Sequence, residues 1–276
     1  MLMQRVLTAL IMAPIAVGGL FFLPPHGFAL FTGAIITIGA WEWARMSGWQ
    51  GQAARIGYAL AMALLMFLLR HAPALPILWL AAAWWIIALV MIARYPAAVD
   101  AWRAVPVRSL MGVVVLIPAW IGLNHLRNGD FALGSVHNNL VLILYTLCIV
   151  WAADIGAFFA GRRWGHRKLA PRVSPGKSWA GVYGGLASVG LLAIVVSLLT
   201  GCSGVQATGL LLVSLFVALV SVVGDLFESM LKRYCGLKDS SQLLPGHGGF
   251  MDRIDSLTAA IPVFSLCMTL LMRVTG

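Results

Sequence analysis

Charged residues are scarce in this sequence. They make up 10% of its 276 residues, whereas hydrophobic residues make up 61%. A soluble globular domain carries about 25% charged residues. So low a charge content excludes an ordinary soluble domain. The composition predicts instead a polytopic membrane protein, because runs of apolar residues without charge are what a lipid bilayer selects.

Acidic residues and cysteines are also few. Nine Asp and Glu stand against 19 Lys and Arg, which leaves a net charge of +10. A nucleic-acid partner would explain that charge, but loops that follow the positive-inside rule explain it better, so we expect no nucleic-acid partner. The cysteines are scattered, without the spacing of a metal site or of a disulfide framework. They are Cys148, Cys202, Cys235 and Cys267.

Long apolar runs occupy most of the chain. A spanning helix needs about 20 mostly apolar residues, and the runs predict an all-α fold with about nine transmembrane helices. About five helices form an N-terminal membrane region, residues 1–130. About four form a catalytic membrane region, residues 131–276, with cytoplasmic loops at 161–177 and 232–255. The predicted helices cover residues 6–23, 28–45, 56–69, 73–93, 109–126 and 140–160, two helices within 178–231, and 256–272.

The basic residues predict the orientation of these helices. With nine spans, sixteen of the 19 Lys and Arg fall on one side of the membrane. Cytoplasmic loops are the ones enriched in Lys and Arg. The N-terminus is therefore predicted in the cytoplasm and the C-terminus outside, which places both polar loops on the cytoplasmic face.

A polar stretch from Ser229 to Asp255 breaks the apolar pattern. It contains four basic residues, three aspartates, a histidine and four glycines within 27 positions. Glycines let backbone N–H groups approach an anion, basic side chains neutralise it, and carboxylates hold Mg²⁺. The stretch therefore predicts a site for phosphates and a metal ion, in which we expect His247 to contact a phosphate.

The acids near this stretch have two interpretations each. Glu228 is four residues before Lys232, so a helical ion pair competes with a functional role. Asp225 has no partner at that spacing, which favours a metal ligand. Asp252 and Asp255 come at the start of the last helix, where capping is the alternative to metal binding.

A second basic stretch precedes helix 7. Ser174-Pro-Gly-Lys177-Ser178 lies just before a helix start, where backbone N–H groups can hold an anion. Anchoring at the membrane surface is the alternative. The upstream glycine and strand of a Walker A motif are missing, so a P-loop ATPase is excluded.

The pattern S-M-x-K-R-x4-K-D-x5-P-G-H-G-G-x-x-D-R-x-D, over 229–255, resembles the signature of the phosphatidate cytidylyltransferases. The resemblance extends to Asp154, to Gly161-Arg162, to the segment 168–179, to 224–229 and to Trp41-Glu42-Trp43. Ala180 departs from it, since the family usually has Glu or Gln there. The close resemblance covers about residues 154–255.

The resemblance implies transfer of CMP from CTP to phosphatidate, with Mg²⁺ as cofactor and K⁺ as a compatible second ion. It implies a bacterial inner-membrane protein with its active site facing the cytoplasm, and it is compatible with a homodimer. The implied metal ligands are Asp225, Asp252 and Asp255. The implied catalytic residues are these three with Lys238, His247 and Arg253. The implied substrate-binding residues are Ser174, Lys177, Ser178, Arg162, Lys232, Arg233, Asp239, Gly248 and Gly249.

Two other functions compete with this one. A CTP-dependent lipid or polyprenol kinase would share the substrates but would lack the glycine-rich run at 245–255. A membrane transporter with intramembrane acids would show polar residues at mid-membrane in several helices and internal repeats, and neither pattern is visible.

Overall fold

The computed structural model describes residues 2–275, with side chains described for 10, 11 and 14–274. Over these residues the chain forms nine α-helices, as the apolar runs predicted. Eight of them, α2 to α9, are long and apolar enough to cross a membrane. The protein is therefore an all-α integral membrane protein. The helices are α1 (Leu2–Phe21), α2 (Pro25–Ser47), α3 (Gln52–Leu69), α4 (Ala74–Arg94), α5 (Val105–Asn128), α6 (Asn139–Trp164), α7 (Trp179–Thr200), α8 (Gly204–Tyr234) and α9 (Met251–Thr275).

The two predicted polar loops are shorter than expected. Residues 161–177 were predicted as a loop, but α6 continues to Trp164, and strands β1 (Lys168–Ala170) and β2 (Ser174–Ser178) then pair antiparallel. Residues 232–255 were predicted as the second loop, but α8 ends only at Tyr234 and α9 already begins at Met251. The prediction was wrong here because polar residues were read as loop. A helix can carry polar residues where they face other protein groups rather than lipid.

Glycines bring α6 and α7 close together. A Cβ atom at Gly156 would collide with the backbone of Gly184, and one at Gly185 would lie 2.8 Å from the Ala153 carbonyl oxygen. Small residues of this kind let the backbones of membrane helices approach closely. The hairpin β1–β2 connects α6 to α7. Because the two helices lie close together, the hairpin lies at the end of the bundle where α6 ends and α7 begins.

The α2 helix lies in the interior of the bundle. Trp43, near the end of α2, is buried, and its indole Nε1 donates to the Arg108 carbonyl oxygen at 2.8 Å. Arg108, on α5, in turn donates from Nη1 to the Met46 carbonyl oxygen at 3.1 Å. These bonds attach the end of α2 to α5. They leave the neighbouring Glu42 facing the segment between α8 and α9.

The side of the membrane on which each helix end lies stays a prediction. The division into regions 1–130 and 131–276 also stays a prediction. The fold does bring the hairpin, the end of α8 and the start of α9 together, and these elements carry most of the predicted site residues.

Candidate active site

A cavity of about 400 Å³ opens between α6, α7 and α8. One part of its wall is polar and contains Asp154, Arg162, Lys177, Ser178 and Asp225. The rest is mainly apolar, formed by such residues as Val182, Leu186, Leu219 and Val222. A cavity with charged groups in one part and aliphatic walls in the other suits an amphipathic ligand.

The strand β2 carries Lys177 to α8. Its Nζ lies 2.5 Å from Asp225 Oδ2, and Asp225 Oδ1 accepts a hydrogen bond from Ser229 Oγ at 3.2 Å. The two charged side chains remain 25% and 30% exposed, so solvent and ligands can reach the pair. Ser178 caps α7, because its Oγ accepts from the Gly181 backbone N–H at 3.2 Å. The Ser178 cap holds the start of α7 in place. The hairpin, which leads into that helix, therefore holds the Lys177 ammonium group at the cavity.

A second Lys–Asp pair lies at the start of α9. Lys232 Nζ is 2.6 Å from Asp252 Oδ1 and 3.6 Å from Glu228 Oε2. Both oxygens of Asp252 are engaged, because Oδ2 accepts from Ser240 N at 2.9 Å, Ser240 Oγ at 3.0 Å and Gly249 N at 2.8 Å. Asp252, the second residue of α9, therefore both holds the turn before the helix, through Gly249 N–H, and pairs with a buried lysine.

The glycines of the segment 235–250, called here the α8–α9 loop, approach this carboxylate. Gly248 has a φ of +82°, and a Cβ there would lie 2.6 Å from Asp252 Oδ2. A Cβ at Gly249 would collide with Ser240 Oγ and with the Glu42 carboxylate. Only glycine fits both positions. Their predicted role in binding substrate stays a prediction, since the anion that Gly249 N–H holds here is the side chain of Asp252.

Two further carboxyl groups, those of Glu228 and Asp255, lie near the two pairs. Glu228 and Asp225 both lie within electrostatic range of Asp255. Asp255 Oδ1 accepts from the Ser256 backbone N–H at 2.7 Å. Neither Glu228 oxygen has a hydrogen-bond partner of good geometry among the described residues, although both are buried. Unpaired buried carboxylate oxygens are costly, and Mg²⁺ prefers such hard oxygen ligands.

The predicted metal ligands were Asp225, Asp252 and Asp255. Among the described residues, no group of three or more His, Cys, Asp or Glu side chains is already arranged as a metal site. In the structure, Asp225 and Asp252 each face an ammonium group instead. The donor chemistry fits Mg²⁺, because carboxylates from α8 and α9 converge there and Mg²⁺ prefers oxygen ligands. Ligation by Asp225 or Asp252 would require a lysine to give way.

The remaining predicted residues lie around these pairs. Arg253 is exposed and donates from Nε and Nη2 to the His247 carbonyl oxygen, at 3.2 and 2.9 Å. Arg233 donates to the Val173 carbonyl oxygen at 3.4 Å, which joins α8 to the hairpin. Lys238 and Asp239 are exposed on the α8–α9 loop, and Ser174 is half-buried on β2. The structure thus forms the Lys177–Asp225 and Lys232–Asp252 pairs, and it leaves Lys238 and Arg253 exposed at the rim.

Sequence reasoning missed two residues at this site. Glu42 and Ser240 are fully buried and hydrogen-bonded to each other. An acid within an apolar helix is a signal of function by itself, and that signal could have singled out Glu42. Nothing in the sequence pattern distinguishes Ser240 from its neighbour Ser241.

The chain was compared with protein families and with curated proteins. The model of the "Cytidylyltransferase family" matches residues 3–271. The chain belongs to the cytidylyltransferase family. Relatives of this cytidylyltransferase family member include a protein named phosphatidate cytidylyltransferase from Pseudomonas aeruginosa, 51% identical over 267 residues, which are 96% of each chain. A protein of the same name from Haemophilus influenzae is 40% identical over 284 residues, covering 96% of this chain and 98% of its own.

The family match confirms the resemblance found in the α8–α9 loop and extends it. A Bacillus subtilis protein that is also named phosphatidate cytidylyltransferase is 35% identical over 165 residues, 58% of this chain. The longer matches include the first five helices, which resembled the family mainly in hydropathy. The cytidylyltransferase family therefore covers the membrane helices as well as the polar loops.

Proposed function

We propose that this protein is a phosphatidate cytidylyltransferase, which transfers CMP from CTP to phosphatidate and releases pyrophosphate. The observation that carries the proposal is the cavity between α6, α7 and α8, read with the family membership. Its Lys177–Asp225 pair and Arg162 suit a phosphate, and its apolar wall suits an acyl chain. The site would face the cytoplasm of a bacterial inner membrane, where CTP is present.

In the proposed reaction, a phosphate oxygen of phosphatidate attacks the α-phosphorus of CTP. A new P–O bond forms, the bond from the α-phosphorus to the bridging oxygen breaks, and pyrophosphate leaves with those electrons. Both reactants are anions, so cations must bring them together. Lys177 and Arg162 would bind a CTP phosphate in the polar part of the cavity. Lys238, Arg253 and His247 would contact CTP phosphates at the rim.

Asp225, Asp252 and Asp255 would hold Mg²⁺, with Glu228 beside them. When bound, Mg²⁺ supplies positive charge to phosphoryl oxygens and stabilises the leaving pyrophosphate. A substrate phosphate that binds Lys177 competes with the Asp225 carboxylate for the same ammonium group. Phosphate binding would therefore also release Asp225.

Incubation of the purified protein with phosphatidate micelles and Mg²⁺ tests the proposal. Each of the four NTPs is supplied in turn with radiolabel on the α-phosphate, and CTP is repeated with label on the γ-phosphate. We expect lipid-bound label from α-labelled CTP only. Lipid labelled from the γ-phosphate would identify a lipid kinase, and absence of labelled lipid would contradict both enzymes.

The Lys177→Ala variant is expected to raise the KM for CTP about tenfold, because a ground-state contact with phosphate is lost. Lys168→Ala is the matched control, since Lys168 is an exposed lysine on the same hairpin, in register with Ser178. Steady-state kinetics measure both. If Lys177→Ala has the same KM and kcat as Lys168→Ala, the basic residues of the hairpin anchor it to the membrane surface and do not bind CTP.

A further inference from the structure

Glu42 is a buried acid that the proposed chemistry does not use. It lies on α2, far in sequence from the α8–α9 loop, and is 0% exposed. No ion pair among the described side chains includes it. A carboxylate that leaves water without a cation must replace its hydration by hydrogen bonds. The groups that donate those bonds are consequently held in place by Glu42.

Four donors surround the Glu42 carboxylate. Oε1 accepts from Ser241 Oγ at 2.5 Å and from Phe250 N at 3.0 Å. Oε2 accepts from Met251 N at 2.7 Å and lies 3.1 Å from Ser240 Oγ, whose single hydrogen is shared between Glu42 Oε2 and Asp252 Oδ2. The first N–H groups of a helix have no partner inside it, and a carboxylate there is further stabilised by the helix dipole. Glu42 thus holds the middle of the α8–α9 loop and the start of α9 together.

Ser240 connects Glu42 to the active site. Its Oγ lies 3.1 Å from Glu42 Oε2 and 3.0 Å from Asp252 Oδ2, and its backbone N–H donates to the same Asp252 oxygen at 2.9 Å. The α2 helix also holds the Ser240 carbonyl oxygen, which accepts from Arg45 Nη1 at 3.1 Å. Any displacement of Ser240 would therefore move two of the donors that orient Asp252.

We propose that Glu42 is a positioning residue, which orients the Asp252 carboxylate by holding Ser240 and the first residues of α9. The inference rests on the proposed function, in which Asp252 takes part in cytidylyl transfer. Glutamine has the shape of glutamate, but its NH₂ group donates and cannot accept. Because each Glu42 oxygen accepts one backbone N–H, from Phe250 or from Met251, Glu42→Gln places an NH₂ against a backbone donor whichever way the amide is turned.

The Glu42→Gln variant of the full-length protein is expected to lose about 100-fold in kcat, the cost of a displacement of about 1 Å at a reacting group. The KM for CTP should change little, because no cation of the site is altered. Peptides from the α8–α9 loop should exchange amide hydrogens faster in the absence of substrates. Thr32→Val is the control: its buried hydroxyl bonds only within α2, at 2.8 Å to Phe28 O and 3.3 Å to Ala29 O, and kcat should be unchanged.

A double-mutant cycle with Ser240→Ala separates positioning from general destabilisation. If Glu42 acts through Ser240, the double variant should lose scarcely more kcat than Glu42→Gln alone, since coupled residues are not additive. If the kcat losses of the two single variants multiply in the double variant, the proposal is overturned. Wild-type exchange rates in Glu42→Gln would overturn it too. A wild-type protein that makes no nucleotide-linked lipid would contradict the proposed function instead, and the exchange measurement would still stand.

If Glu42→Gln does not yield folded protein, Ser241→Ala tests the same proposal. It removes one donor to Glu42 and leaves Ser240 and Asp252 untouched. We expect a kcat loss smaller than that of Glu42→Gln with the KM for CTP preserved, together with faster exchange in the α8–α9 loop. Unchanged kcat and unchanged exchange in Ser241→Ala would overturn the proposal.

Discussion

The Asp252→Asn variant is expected to lose at least about three orders of magnitude in kcat, because metal and charge stabilisation supply most of the catalysis in phosphoryl chemistry. The amide oxygen of Asn can accept the hydrogen bond from Gly249 N–H, so that bond can survive. What Asn cannot reproduce is the anion that faces Lys232 Nζ at 2.6 Å. Its NH₂ group would point at the ammonium instead. The fold should persist, since Lys232 keeps Glu228 at 3.6 Å.

Radiolabel transfer from α-labelled CTP, measured over a range of Mg²⁺ concentrations, checks this prediction. Asp225→Asn should behave similarly, because it too removes a carboxylate that faces a lysine, whereas Asp100→Asn is the matched control. Asp100 is an exposed acid whose partner, Arg103, lies three residues away on the surface. Near-normal turnover of Asp252→Asn, with its Mg²⁺ dependence unchanged, would leave Asp252 as a helix cap only.

Replacement of Lys232 by Met is expected to destabilise the protein by about 3–5 kcal/mol, the usual cost of breaking a buried ion pair. Lys232 is buried, pairs with Asp252 and Glu228, and lies within electrostatic range of Asp255. Without its ammonium group, the carboxyl groups around it would have no buried cation. A stability loss of this size lowers the thermal midpoint by about 10 °C.

The fraction of protein that stays monodisperse in detergent after heating measures this loss. Lys168→Met serves as control, because Lys168 is exposed on β1 and its replacement removes the same charge. The double variant Lys232→Met, Glu228→Gln should recover part of the midpoint, since one carboxylate fewer is left unpaired. A midpoint equal to wild type in Lys232→Met would show that the buried pairs do not stabilise the fold.

The sequence located the helices well because a bilayer leaves the backbone few choices. Each spanning segment must satisfy its own N–H and C=O groups, so an apolar run of about 20 residues becomes a helix. Polar segments lack that constraint, and there the predictions were weaker. The strands β1 and β2 have three and five residues, too short for a periodic pattern to appear. The early start of α9 was missed because the Met251 N–H bonds to Glu42, about 200 residues earlier.

The same contrast holds for the site. From the sequence we predicted site residues in the α8–α9 loop and in the segment 174–178, because glycines, lysines and aspartates have no reason to cluster in a lipid-facing helix. Family membership followed from the order and spacing of those residues. Both are local properties of the chain, and local chemistry is what a sequence displays.

Pairing between elements was decided only by tertiary structure. The sequence predicted a Glu228–Lys232 ion pair as the structural alternative, and it exists, but the shorter contact of Lys232 is with Asp252. Lys177 meets Asp225 because the hairpin folds over α8. Glu42 reaches Ser240 because α2, which packs mainly against α5 and α3, ends beside the α8–α9 loop. Charges and hydrogen-bond donors act over a few ångströms of space, whereas distance along the chain says little about which of them will meet.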